Sequence, residues 1–213
     1  MAGTENAREQ VLKKIRRALL HKTSPKEDVK DFETNVFQPS HEDPAFEFAE
    51  KFIALGGGFA YCDSEVDFLS TLKELVEKRE WTKIACLDPI INNRIEGVIP
   101  VNIQHPPFED AEIVITGCEA LVSFTGGILV SSRQPYGRSS TILPPVHLVV
   151  ASPEQLVPDL RTAYSMIKDK YGDALPSMIS NISGPSRTAD IEKTLVRGAH
   201  GPKELYLLLV SEN

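Results

Sequence analysis

Nineteen residues near the C-terminus, GPSRTADIEKTLVRGAHGP at 184–202, hold the side chains best suited to chemistry. A strand is expected to end at about Ser183 and a helix to begin near Thr188. Such a junction presents unpaired backbone amides at the positive end of a helix, which suits an anion. Arg187 would add a fork of donors, and Ser183, Ser186 and Thr188 would add hydroxyls, with Gly184 and Gly201 leaving backbone open to approach. Asp190 either satisfies the first-turn amides itself or handles a proton. His200 lies among turn-favouring residues, and its ordinary pKa near ~6.5 suits proton transfer or anion binding at neutral pH. One geometric objection stands against a shared site. If TADIEKTLV is a helix crossing the sheet, its ends lie about 13 Å apart, and Arg187 and His200 face opposite sheet edges unless the helix packs at a sheet end or a second subunit intervenes.

Two further stretches carry candidate ligand contacts. Ser123-Phe124-Thr125-Gly126-Gly127 interrupts apolar strand sequence with hydroxyls and two glycines, which either opens room for a ligand or marks a bulge or hairpin. The loop SSRQPYGRSSTILPP after it holds Arg133 and Arg138, which either clamp a carboxylate or phosphate or are solvated loop cations. Gly56-Gly57-Gly58 follows a helical pattern rather than a strand, so it reads as a helix C-cap with one residue at positive φ, not a phosphate loop. Neither G-x-G-x-x-G nor G-x-x-x-x-G-K-[ST] occurs. Cys62, Cys86 and Cys118 are far apart in strand-like runs and read as structural thiols, so no metal is expected on this chain.

These residues need elements to hold them. Residues 4–20 place Ala7, Val11, Leu12, Ile15, Ala18 and Leu19 on one stripe, an amphipathic helix capped by Thr4, and the polar Pro-containing stretch to residue 43 reads as a linker. From residue 44 to 213 one domain is expected, with helices in PAFEFAEKFIAL, EVDFLSTLKELVEKRE, PEQLVPDLRTAYSMIKDKYG and TADIEKTLV. GFAYCD, TKIACLD, EIVITGCEALVSFTGGILVSS, HLVVAS, MISNIS and ELYLLLV supply strands. Near-continuous apolar strands between helices imply an α/β class, with a mainly parallel sheet covered by helices on both faces.

A net charge of −7 opposes a general nucleic-acid binder, and no apolar run approaches the ~20 residues that span a bilayer. A cytoplasmic protein is expected.

SGPSRTADIE followed by GAHGP and an apolar last strand resembles the C-terminal signature of the lactate utilization (LUD) domain family. The TGG of LVSFTGGILV, the later LPPVHLVV and the N-terminal KKIRRAL are similar to other parts of that family, and the resemblance runs from about residue 44 to 210. It implies a fold similar to the sugar-phosphate isomerase and CoA-transferase group. It also implies a subunit of a cytoplasmic complex that oxidises L-lactate to pyruvate, with iron–sulfur clusters on partner subunits and none on this chain. Phe124 departs from the pattern, since many members carry an acidic residue there.

Three functions follow as alternatives. The first is the lactate-oxidising subunit, with Arg187 and Arg138 holding the carboxylate, Gly126 and Gly127 admitting it, and His200 or Asp190 moving a proton. The second is a stand-alone ligase, transferase or isomerase on a small acyl or phosphorylated metabolite, and the third a non-catalytic anion-sensing or assembly module; a homo-oligomer is open in every case.

Overall fold

A computed structural model describes residues 13, 43–103, 108, 110–137, 139–188, 196–197 and 201–211. The expected N-terminal helix and linker lie outside the described residues except Lys13 and Asp43, as do Arg138, Asp190 and His200. Every element named below belongs to the second of two compact units, residues 39–213.

The first sheet has six strands: β1 (Gly58–Cys62), β2 (Ile84–Cys86), β3 (Val101–Ile103), β4 (Ile113–Thr116), β7 (Val146–Ala151) and β12 (Glu204–Val210). All neighbours run parallel in the order β1-β12-β7-β4-β2-β3. Every residue of β4 and β7 is buried, as a sheet covered on both faces requires.

Helices α2 (Glu65–Arg79) and α3 (Pro89–Ile95) cover one face, where Phe68, Leu72, Ile91 and Ile95 pack on Ile84, Ile113, Ile115 and Leu148. The opposite face is covered differently from the expectation of helices alone. Helix α1 (Pro44–Ala54) shares it with a second, four-stranded sheet: β5 (Ala120–Val122), β6 (Gly127–Ser131), β8 (Leu156–Val157) and β9 (Ile179–Ile182), in the order β8-β5-β6-β9. Phe48 and Phe52 of α1, stacked with centroids 5.4 Å apart, meet Leu121, Ile128, Val149 and Leu207 there. Each fully buried Phe contributes about 1.5–3 kcal/mol. Helix α4 (Leu160–Tyr171) backs the second sheet through Ala163 and Ile167 against Val122 and Leu129.

Local chemistry sets the helix ends. Asp43, Ser64, Asp88 and Asp159 each cap a helix start by accepting backbone N–H bonds. Helix α1 stops as its glycines predict, for Gly56 has φ 92° and Gly57 N–H bonds back to Phe52 O at 3.0 Å.

Three elements differ from the sequence reading. The helix expected to start at Pro153 begins only at Leu160, after a 3-10 turn at Pro153–Gln155 and the two residues of β8. Pro158 supplies no amide to a helix, and Asp159 Oδ1 instead accepts Thr162 N–H at 2.8 Å to start a new one. The strand within MISNIS is β9, but it pairs antiparallel with β6 in the second sheet. Thr188 and Val196, the ends of the expected TADIEKTLV helix, are strand residues facing each other in an antiparallel pair of β10 (Arg187–Thr188) and β11 (Val196–Arg197), and residues 189–195 lie outside the described residues. Helix α3 and strand β3 were not expected from the sequence pattern.

Candidate functional site

The described residues of the C-terminal signature gather at the amino-terminal end of the parallel sheet. Ser186 N–H donates to Pro202 O at 2.9 Å, and Lys203 N–H donates to Pro145 O at 2.8 Å just before β7 and β12 begin. Gly184 lies against α1, where a Cβ would stand 2.8 Å from Leu55 O. The register Arg187↔Arg197 sets the two ends of the segment side by side, so the ~13 Å separation of an unbroken helix does not arise. The structure thus joins Ser183, Gly184, Ser186, Gly201 and the backbone of Arg187 and Thr188 in one region, and it takes up the Ser186 amide internally.

Thr125, Gly126 and Gly127 lie at this same end, in the turn joining β5 to β6. The hairpin reading is the one realised. Gly126 has φ 63°, and a Cβ on it would be 2.7 Å from Phe52 N and 2.8 Å from Lys51 C. Its missing side chain therefore admits the C-terminal turn of α1. A Cβ on Gly127 would collide with Asn181 Oδ1, and Asn181 Nδ2 donates to Ser183 Oγ at 3.3 Å. Phe124 lies under the Lys51 ammonium, 4.6 Å from its ring centre.

A second region stands at the opposite end of the sheet, past the last residues of β2, β4 and β7. The chain leaving β2 enters α3 on one face, whereas the chain leaving β4 enters β5 on the other. Strands diverging in this way open a crevice at their carboxyl ends, the usual ligand position in open α/β sheets. Here it has a volume of about 390 Å3, within the range of ~300–1,000 Å3 typical of small-molecule sites.

Asp88, Arg94, Gly117, Cys118, Arg133, Gln134, Ser152, Gln155, Lys170 and Tyr171 contribute to its wall. Arg94 is held by Glu65, Nη2 to Oε2 at 2.6 Å, and its guanidinium lies over the Phe68 ring at 4.8 Å. Arg133 Nη2 donates to Ala174 O at 3.0 Å and makes no ion pair among the described residues.

Behind Lys170 lies Glu119, whose side chain is 1% exposed against 56% for Lys170. Its carboxylate accepts from Ser131 Oγ at 2.6 Å, Tyr171 OH at 2.7 Å and Lys170 Nζ at 2.8 Å. Burial pushes the Glu119 pKa up, but these donors and the Lys170 charge outweigh it and hold the carboxyl below its ordinary value. For Lys170 burial opposes the charge while Glu119 favours it more strongly, so its pKa is raised and the amine stays protonated. Lys170 is thus a fixed cation at the crevice rather than an amine nucleophile.

The crevice floor is pinned from below. Gly117 O accepts from Tyr136 OH at 2.7 Å and from Thr116 Oγ1 at 2.9 Å. Because the single Thr116 proton points to Gly117, the 2.8 Å contact between Thr116 Oγ1 and His147 Nε2 assigns the imidazole proton to Nε2. Nδ1 is buried without a partner among the described residues, and burial pushes the His147 pKa down to about 4, so the ring is neutral at pH 7. Gln155 ties the neighbouring strand end, donating to Cys118 O at 2.6 Å and accepting Ser152 N–H at 2.9 Å. The Cys118 thiol is buried and its pKa is pushed up by that burial, which leaves it a packing group. No cluster of three or more metal-ligating side chains occurs among the described residues.

Sequence reasoning singled out Arg133 but passed over Asp88, Glu119, His147 and Lys170. The signal for Glu119 was available: a lone carboxylate in the apolar run IVITGCEALV must find partners once buried. Nothing local marked Lys170, whose role depends on where α4 ends.

Comparison with known proteins gives a consistent picture. Residues 104–210 match the LUD domain. A lactate utilization protein C of Bacillus licheniformis is 35% identical over 113 residues, 52% of this chain and 46% of that protein. Proteins of the same name from Halalkalibacterium halodurans and Deinococcus radiodurans are 36% and 31% identical, covering 49% and 51% of this chain and 46% and 50% of theirs. The chain spans about half the length of these curated relatives. In fold it is similar to the crystal structure of a DUF162 family protein from Deinococcus radiodurans, with a TM-score of 0.60 at 18% identity, covering 78% of this chain and 96% of that one.

Proposed function

The chain belongs to the LUD domain family, and from that premise we propose that it is a component of lactate utilization that holds a small carboxylate in the crevice beyond β2, β4 and β7. The observation that carries this reading is Arg133, a cation without an acidic partner among the described residues, beside the fixed ammonium of Lys170 on the wall of one cavity. A guanidinium and an ammonium together suit a carboxylate, with Arg giving the bidentate contact. The names of the relatives supply the metabolic context.

In this reading the chain is the substrate-holding subunit of a cytoplasmic assembly that oxidises L-lactate to pyruvate, and iron–sulfur clusters on partner subunits take the electrons. The LUD-like domain is assigned to residues 44–213. The test is reconstitution. The isolated chain should bind L-lactate, seen as a rise in melting temperature, without turning it over, and lactate-dependent electron transfer should return when cluster-bearing subunits are added. Turnover of an acyl or phosphorylated metabolite by the chain alone would favour the stand-alone enzyme instead.

A second reading places the anion at the signature loops, with Arg187, Arg138 and the Thr125–Gly127 turn as contacts and Asp190 or His200 moving a proton. It is favoured by the β10–β11 pairing, which sets Arg187 opposite Arg197, while the Ser186 amide, already bonded to Pro202 O, is not a donor for it. Alanine at Arg133 or at Arg187 separates the two, since only the true site loses binding.

A further inference from the structure

We propose that Asp88 sets which acid the crevice accepts, favouring a 2-hydroxy acid over the matching 2-oxo acid. This rests on the crevice being the carboxylate site. The two oxygens of Asp88 have separate tasks. Oδ1 accepts the backbone N–H groups of Ile90 and Ile91, at 3.0 and 3.3 Å, and so starts α3. Oδ2 is turned toward Gly117 at the crevice wall, 3.3 Å from where a Cβ on that glycine would lie, and makes no hydrogen bond with the described residues.

An ionised carboxylate only accepts hydrogen bonds. An alcohol can therefore donate to Oδ2, whereas a ketone brings lone pairs against it. Arg133 and Lys170 supply donors for the acid group on the same wall. A molecule carrying a hydroxyl beside its carboxylate meets both needs at once, and its oxidised counterpart meets one. A charged hydrogen bond gained or lost in this way corresponds to roughly a tenfold difference in affinity.

The test is calorimetric titration of the full chain with L-lactate and with pyruvate. The wild type should bind lactate about tenfold more tightly. Asp88→Asn keeps an oxygen for the α3 amides, since Asn caps as well as Asp, and puts an NH2 donor where Oδ2 stood. The preference should disappear, with lactate weakened by loss of the charged acceptor and pyruvate strengthened, since the NH2 can donate to a hydroxyl or a keto oxygen alike. Gly117→Ala would put a Cβ 3.3 Å from Oδ2 and crowd it, so it should reduce the preference while both acids still bind. Equal binding of the two acids by the wild type, or a ratio unmoved by Asp88→Asn, overturns the role of Asp88 and spares the crevice if Arg133→Ala still weakens both acids. Failure of the wild type to bind either acid overturns the crevice reading and this inference together.

Discussion

At the amino-terminal end of the parallel sheet, glycines let backbone meet backbone: Gly126 against Lys51 and Phe52, Gly184 against Leu55. At the carboxyl-terminal end, Asp88, Arg133 and Lys170 border a cavity of about 390 Å3, and the backbone beneath is tied by Tyr136, Thr116 and Gln155. The family signature and the open cavity therefore sit at opposite ends of one sheet. Sequence signatures mark residues that cannot be exchanged, and close packing restricts exchange as strictly as chemistry does.

The sharpest break between the ends is a substitution tolerated at one and not the other. Gly126→Ala forces a Cβ into the α1 backbone at positive φ and should lower unfolding free energy by about 4 kcal/mol in urea denaturation, whereas Gly117→Ala should change stability little.

Acid should act through His147, which contacts Thr116 inside the parallel sheet. Its pKa is about 4 in the fold against 6.5 ordinarily. Below about 6.5 the unfolded chain takes up a proton that the folded ring refuses, so stability falls from there down toward about 4, by about 3 kcal/mol in all. Denaturation at stepped pH reads this loss, and His147→Gln should flatten it. An acid limb left unchanged in His147→Gln would contradict the assignment.

Glu119→Gln should cost about 2 kcal/mol by weakening its bonds to Ser131, Tyr171 and Lys170. The depressed Glu119 pKa gives the wild type stability that is present above the ordinary carboxyl value and lost as pH falls through the lower folded value, and the variant should lack that acid limb. The smallest effect on the fold is expected at Arg133. Arg133→Ala should leave unfolding within ~0.5 kcal/mol of wild type while weakening L-lactate about tenfold, and Arg187→Ala should leave lactate binding unchanged. The reverse result would move the ligand to the signature loops.

Much of the fold was legible. The apolar runs IVIT, VHLVVA and ELYLLLV marked a sheet buried on both faces, and the glycine stop of α1 fell where the sequence placed it. The break at Pro158 was visible as a residue but lost within an amphipathic pattern, because helical spacing on both sides of a proline reads as one helix. The pairing of Thr188 with Val196 was not visible, since TADIEKTLV carries an acidic start and helical spacing that tertiary pairing overrides at both ends.

From the chain alone came the α/β class and the family, because hydrophobic periodicity, turn chemistry and motif identity are local properties. Only the tertiary structure decided that the signature closes the amino-terminal end and that Asp88, Arg133 and Lys170, from three distant segments, border one cavity. Which strand ends diverge is fixed by strand order and by the faces that connections take, and neither is written in the spacing of neighbouring residues.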